Sequence, residues 1–229
     1  METQELEVEV NGRRFSYYLT QSEEPNKPIL FIFHGHGYNE KHAAFKSPSW
    51  NVVCPIDKYG YEGLGSWYLG EKDNLFWLEA MPKILLNTRR KVGDKSRLYM
   101  WGSSMGGYAS ILYGHLLGAK AIYANVPQTK LLGTKYSENG MSKYFSYIFE
   151  NGDNKYNDLK RVLLKRTSCK YFLCFNQLEG SDYFTEQGLS FISHLHSFKQ
   201  PLYLEVRPQS AHGKNHGISE AIALFKKYN

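Results

Sequence analysis

The chain has 229 residues, 42% of them hydrophobic and 22% charged, with a formal net charge of +6. That is the length and composition of one soluble globular domain with a core of its own. It holds no apolar run long enough to cross a bilayer, no zinc-ligand spacing, no RNA-binding aromatic signature and no long Lys/Arg block, which speaks against membrane insertion and nucleic-acid binding.

The opening METQELEVEVNGRR begins acidic and lacks an apolar signal segment, so secretion by that route is not expected. Glu5 to Val10 and Phe15 to Leu19 flank Asn11-Gly12, a type I′ turn signal, and predict a β-hairpin. The run from Pro28 to Phe33 is apolar throughout, as expected of a strand covered on both faces, and Trp50 to Pro55 gives the next strand. From about Asp73 to Lys91 the pattern is helical, with Asp73 as N-cap and Gly93 beyond the end. Arg97 to Trp101 predicts a strand, Ser104 to Leu117 a helix and Ala119 to Ala124 a strand.

The stretch 133–154, rich in Tyr, Ser, Gly and Asn, is expected to form a small cap or lid insertion. A helix over Tyr156 to Arg166, a strand over Tyr171 to Phe175 and a helix over Tyr183 to His196 follow. A strand over Leu202 to Val206 and a helix over Ile218 to Tyr228 close the chain. Strands alternating with helices after an opening hairpin predict an α/β domain with a mostly parallel sheet, without repeats or linkers. Cys54, Cys169 and Cys174 cannot all pair within the chain. Two of them lie in strand-like apolar runs, which points to reduced, buried thiols and a cytoplasmic protein.

The chemistry is concentrated in Gly102-Ser103-Ser104-Met105-Gly106, a G-x-S-x-G run with a strand before it and a helix after it. Small residues two positions to either side allow a sharp turn that lifts the Ser104 hydroxyl to a helix N-terminus, where negative charge is favoured. Ser104 is therefore the expected nucleophile. After an earlier strand comes His34-Gly35-His36-Gly37, whose backbone suits an oxyanion hole. The expected donors are the main-chain amides of His36 and Met105, with His34 bracing the loop.

An acid and then a histidine should follow in chain order. Asp182, after the Tyr171–Phe175 strand, is the expected acid, with Glu179 as the fallback. After the last strand, His212 and His216 both qualify as the base; His216, close before the final helix, is preferred and His212 is the alternative.

With those residues in view, the chain resembles the capsule polysaccharide O-acetyltransferases of the α/β-hydrolase superfamily over nearly its whole length. The matching runs are LYMWGSSMGG around Ser104 and IYANVPQTKL from Ile122 to Leu131, with weaker matches at IDKYG…GSWYLG (Ile56 to Gly70) and SEAIALFKKY near the C-terminus. The resemblance implies an α/β-hydrolase fold with helices on both faces of the sheet. It also implies transfer of an acetyl group from acetyl-CoA, with no bound cofactor, through acetyl-Ser104 to a hydroxyl of a surface polysaccharide. A basic protein suits an anionic polymer, and such an enzyme would attach peripherally to a capsule assembly complex. Tyr59, Tyr61, Trp67 and Tyr68 are then acceptor-side candidates, although Trp67 and Tyr68 equally suit packing beneath their loop. Gln128 and Lys130, on the carboxyl edge of the sheet, are candidates to contact either substrate. The HGHG run is as much at home in plain esterases, so a serine esterase or deacetylase acting on acylated glycans or small esters stands as the alternative.

Overall fold

The computed structural model describes residues 1–152, 154–213 and 216–228. Eight strands form one sheet: β1 (Thr3–Val10), β2 (Arg13–Thr20), β3 (Ile29–Phe33), β4 (Asn51–Pro55), β5 (Leu98–Ser103), β6 (Ala121–Asn125), β7 (Lys170–Asn176) and β8 (Leu202–Arg207). Their spatial order is β1-β2-β4-β3-β5-β6-β7-β8. β1 and β2 pair antiparallel, β2 joins β4 antiparallel, and every later pair is parallel. Asn11 and Gly12 both take positive φ, 50° and 77°, as a type I′ turn between twisted strands requires.

Residues of β3, β4, β6 and β7 are almost uniformly buried because both faces of the sheet are covered. One face packs on α1 (Trp77–Val92), α2 (Met105–Leu116), α3 (Ser142–Ile148) and α4 (Ser190–Ser197), through residues such as Trp77, Tyr108, Phe145 and Phe191. The other meets α5 (Ile218–Tyr228), whose Ala221, Ile222 and Phe225 lie against Leu30, Tyr99 and Phe172. All three cysteines are buried and none is in a disulfide. No helix among the described residues is long and apolar enough to cross a membrane.

Two sequence expectations are corrected. α1 begins at Trp77, not near Asp73: Lys72 and Asp73 are left-handed, with φ of 49° and 61°. The Asp73 carboxylate is spent on Asn151, accepting from its backbone N (3.0 Å) and its Nδ2 (2.6 Å). The helix expected over Tyr156 to Arg166 is two short 3₁₀ turns, Lys155–Asn157 and Leu159–Arg161, capped by the side chains of Asn154 and Asp158. Each cap favours a local turn over helix propagation. The stretch 133–154 carries a wide turn at Ser137–Met141 and then α3, and Phe145 and Ile148 anchor it in the core. Asp153 lies outside the described residues.

Phe225 is the aromatic anchor of α5, with ring centroids 5.2 Å from Tyr99 and 5.4 Å from Phe172. Replacing it with alanine should lower the unfolding free energy by about 3–5 kcal/mol, read as an earlier midpoint in urea denaturation.

Candidate active site

β5 hands the chain to α2 at Ser104, the N-cap of that helix, with φ 56° and ψ −120°. A left-handed backbone at a non-glycine residue is strained and persists only where its surroundings hold it. Here the holding comes from close approach. A Cβ on Gly102 would lie 2.0 Å from the Gly106 carbonyl oxygen, and one on Gly106 would lie 2.4 Å from that of Phe33. Only glycine lets β5, α2 and β3 come so near.

The hydroxyl this turn presents is met by His212, whose Nε2 is 2.8 Å from Ser104 Oγ. The other ring nitrogen, Nδ1, is bonded to Glu179 Oε1. The Glu179 side chain is 6% exposed, which leaves its carboxylate little solvent competition. The His212 loop is hung from the ends of two central strands: Asn125 Nδ2 donates to the Gly213 carbonyl (3.1 Å) and Asn176 Nδ2 to the Ala211 carbonyl (2.6 Å). Tyr136 stacks on the imidazole at 5.7 Å between centroids, and Tyr183 meets it edge-on at 5.2 Å. Burial, then the negative charge of Glu179, pushes the Tyr136 phenol up to about 12, so it stays neutral beside the histidine.

The structure therefore brings Ser104, His212 and Glu179 together and leaves Asp182 and His216 out. Asp182, itself left-handed with φ 49°, turns to an exposed ion pair with Lys135. His216 is taken by Glu205 of β8, 2.6 Å away, and packs edge-on to Tyr123. The fallback acid and the alternative histidine hold the positions that Asp182 and His216 were expected to hold.

The oxyanion loop after β3 is built as a rigid turn. His34 Nδ1 donates to the Gly35 carbonyl (2.8 Å), while its Nε2 accepts from the Asp57 backbone N (2.9 Å), which fixes a neutral tautomer. Burial lowers the His34 pKa to about 4. The His34 backbone N is itself held by Tyr68 Oη at 3.1 Å. Among the described residues, the amides of His36 and Met105 have no hydrogen-bond partner; Met105 opens α2 directly after Ser104, and His36 lines the same cleft as Ser104. Such fixed donors stabilise a developing oxyanion without reorganising.

Asp57, which no sequence motif marks, organises the next loop. Its carboxylate accepts from the backbone N of Tyr59, Ser66 and Tyr68, from Ser66 Oγ and from Trp77 Nε1. Burial still pushes its pKa up to about 6 against those donors. A lone aspartate in IDKYG gives no such signal; only the folded loop does.

That loop corrects the acceptor-side expectation. Trp67 and Tyr68 are completely buried, and Tyr59 packs on Phe15 and Phe76 with its hydroxyl donating to the Arg14 carbonyl. None of the three lines the cleft that holds Ser104. Tyr61 contacts Tyr144 and Tyr147 of α3 edge-on. Lys130 Nζ donates to the Gly133 carbonyl (3.0 Å), away from the cleft. Gln128 does reach the site, with Nε2 donating to Ser104 Oγ at 2.8 Å. The cleft has a volume of about 670 Å³ and is lined by Ser104, His212 and the His34–Gly37 loop, with Tyr136 and Met141 contributed by the 133–154 stretch. No His/Cys/Asp/Glu group suited to a metal ion occurs among the described residues.

No family model matches the chain, and no curated protein sequence matches it. Solved structures do. S-formylglutathione hydrolase from Agrobacterium tumefaciens superposes with a TM-score of 0.68 at 15% identity, over 92% of this chain and 87% of that one. A ferulic acid esterase gives 0.67 at 14% identity, over 99% and 94%. A lipase/esterase from Lactobacillus plantarum gives 0.64 at 14%, over 99% and 97%. At such identities the likeness is one of fold: the chain has the α/β-hydrolase fold.

His34 carries a pH prediction. Its folded pKa lies below the usual imidazole value of about 6.5, so its stabilising contribution is complete above that pH and is lost as pH falls towards 4. Asp57 works in the opposite sense, since its raised pKa favours the protonated form, so a difference measurement is needed. The stability gap between the unaltered protein and His34→Gln should shrink by about 3 kcal/mol between pH 7 and pH 4 in urea titrations.

Proposed function

We propose that this protein is a serine esterase that cleaves acyl esters through an acyl-Ser104 intermediate, acting on acylated glycans or small esters. The observation that carries the reading is the relay from Ser104 Oγ to His212 Nε2, 2.8 Å long, continued from Nδ1 to Glu179. Ser104 Oγ bonds to the acyl carbon as His212 takes its proton, and the His36 and Met105 amides receive the oxyanion. His212 then gives that proton to the departing alcohol. Water attacks the acyl-serine, leaves a proton on His212 and frees the acid, and the proton returns to Ser104. Glu179 holds the imidazole tautomer and stabilises its cation. The esterases among the superposed structures support this direction.

One observation favours a second reading, acetyl transfer from acetyl-CoA to a polysaccharide hydroxyl. Two of the runs that resemble the O-acetyltransferases, NVPQTKL and the weaker match GSWYLG, meet at the nucleophile: Trp67 Nε1 donates to Gln128 Oε1 (3.0 Å), and Gln128 donates to Ser104. Both readings share the acyl-serine and part only at what attacks it. Acyl release from nitrophenyl esters that no glycan accelerates supports hydrolysis. Acetyl-CoA turnover that depends on an added glycan and yields acetylated sugar supports transfer and overturns the first reading.

Ser104→Ala and His212→Ala should each cut ester turnover by about 10⁴-fold or more while leaving the melting temperature unchanged, because nucleophile and base act as a unit. Glu179→Gln should cost on the order of 10³-fold, with Glu179→Asp intermediate, whereas Asp182→Asn should stay within about threefold. A large loss in Asp182→Asn with none in Glu179→Gln would contradict the assignment.

A further inference from the structure

Ser104 Oγ carries one proton and is within hydrogen-bond distance of two partners, His212 Nε2 and Gln128 Nε2, each at 2.8 Å. The direction of each bond follows from chemistry. An indole N–H donates and cannot accept, so Trp67 Nε1, 3.0 Å away, must face the amide oxygen of Gln128. The amide NH₂ then faces Ser104, and Oγ accepts from it. Ser104 has only its own proton left to give, and it goes to His212 Nε2, which puts the imidazole proton on Nδ1 towards Glu179. Every donor along Trp67, Gln128, Ser104, His212 and Glu179 points the same way. Trp67 and Gln128 are both fully buried, so neither the indole nor the amide turns to water instead.

We propose that Gln128 is a further catalytic residue, a side-chain donor aimed by Trp67 at the reacting oxygen of Ser104, and this rests on the acyl-serine reading above. As the Oγ–H bond breaks and the proton passes to His212, charge builds on Oγ before its bond to the acyl carbon is complete. The Gln128 N–H stabilises that charge while keeping its own protons. In deacylation the Oγ–carbon bond breaks, and the same donor stabilises Oγ as the leaving atom until His212 returns the proton. Trp67 acts through Gln128 and is a positioning residue.

The test is the rate at which a fluorophosphonate modifies Ser104, which needs no knowledge of the natural ester. Gln128→Met, similar in length but without a donor, should slow modification by about ten- to a hundredfold at an unchanged melting temperature. Trp67→Phe should slow the unaltered protein several-fold and the Gln128→Met protein not at all, since the indole has then nothing to aim. Modification of Gln128→Met within twofold of the unaltered rate, or equal slowing by Trp67→Phe in both backgrounds, would overturn the proposal. Should Gln128→Met fail to fold, Gln128→Glu keeps the shape and reads the same point. Its rate relative to that of the unaltered protein at the same pH should rise as pH falls and the carboxyl regains a proton to donate, and a ratio that stays constant with pH would overturn the proposal. Absence of any Ser104 labelling in the unaltered protein would bring down the acyl-serine reading itself, which labelling at an undiminished Gln128→Met rate would leave standing.

Discussion

Ser104 is held in a left-handed backbone conformation, φ 56° and ψ −120°, that costs an L-residue on the order of 1–3 kcal/mol. That strain is what lifts a hydroxyl clear of the sheet edge, and the rest of the site is arranged to hold it there. The glycines at 102 and 106 let β5 run into α2 at a separation no side chain would permit. The Ser104 backbone N donates to the Asn125 carbonyl at 2.9 Å, tying the turn to the end of β6. Asn125 in turn donates to the loop that carries His212, so the strand beside the nucleophile positions the base as well.

The polar parts of the site are ordered before any substrate arrives. Asp57 gathers donors from its own loop and from α1, and so fixes the segment that buries Trp67 and Tyr68. Tyr68 reaches across to the His34 backbone, and His34 reaches back to the Asp57 backbone. The oxyanion loop and the Trp67 loop thus form one unit, joined by buried hydrogen bonds whose loss would leave unpaired polar groups. On the far side, Thr129 and Lys130 donate their backbone N–H groups to the Gln187 side chain, which steadies the run that holds Gln128. Fixed donors of this kind favour a transition state because no reorganisation is needed when charge develops.

How much of this was legible in the sequence depended on whether the cause was local. The elbow, the HGHG loop, the hairpin turn and the central strands were readable because glycine placement and apolar runs act within a few residues. The choice between Glu179 and Asp182 was not, since both follow β7 in one loop. What separates them is Lys135, 47 positions earlier, which draws Asp182 outward. His212 and His216 pose the same problem, resolved by Glu205 on β8 claiming His216. Trp67 read equally well as a packing residue and as a surface for an acceptor. It proved to be fully buried, with its indole N–H spent on Gln128, a pairing across 61 positions that no periodicity encodes. Asp73 misled for a related reason: a good capping residue was used for a contact with the 133–154 stretch instead.

Superposition on hydrolases at 13–18% identity places the chain in a fold, while its chemistry rests on which side chains meet at Ser104. The central claim is that His212, oriented by Glu179, faces that serine. The most direct measurement is the imidazole N–H region of the proton NMR spectrum. The account predicts a strongly downfield Nδ1–H resonance that vanishes in His212→Gln, moves upfield in Glu179→Gln and keeps its position in Asp182→Asn. A His212 resonance indifferent to Glu179→Gln and displaced by Asp182→Asn would contradict it.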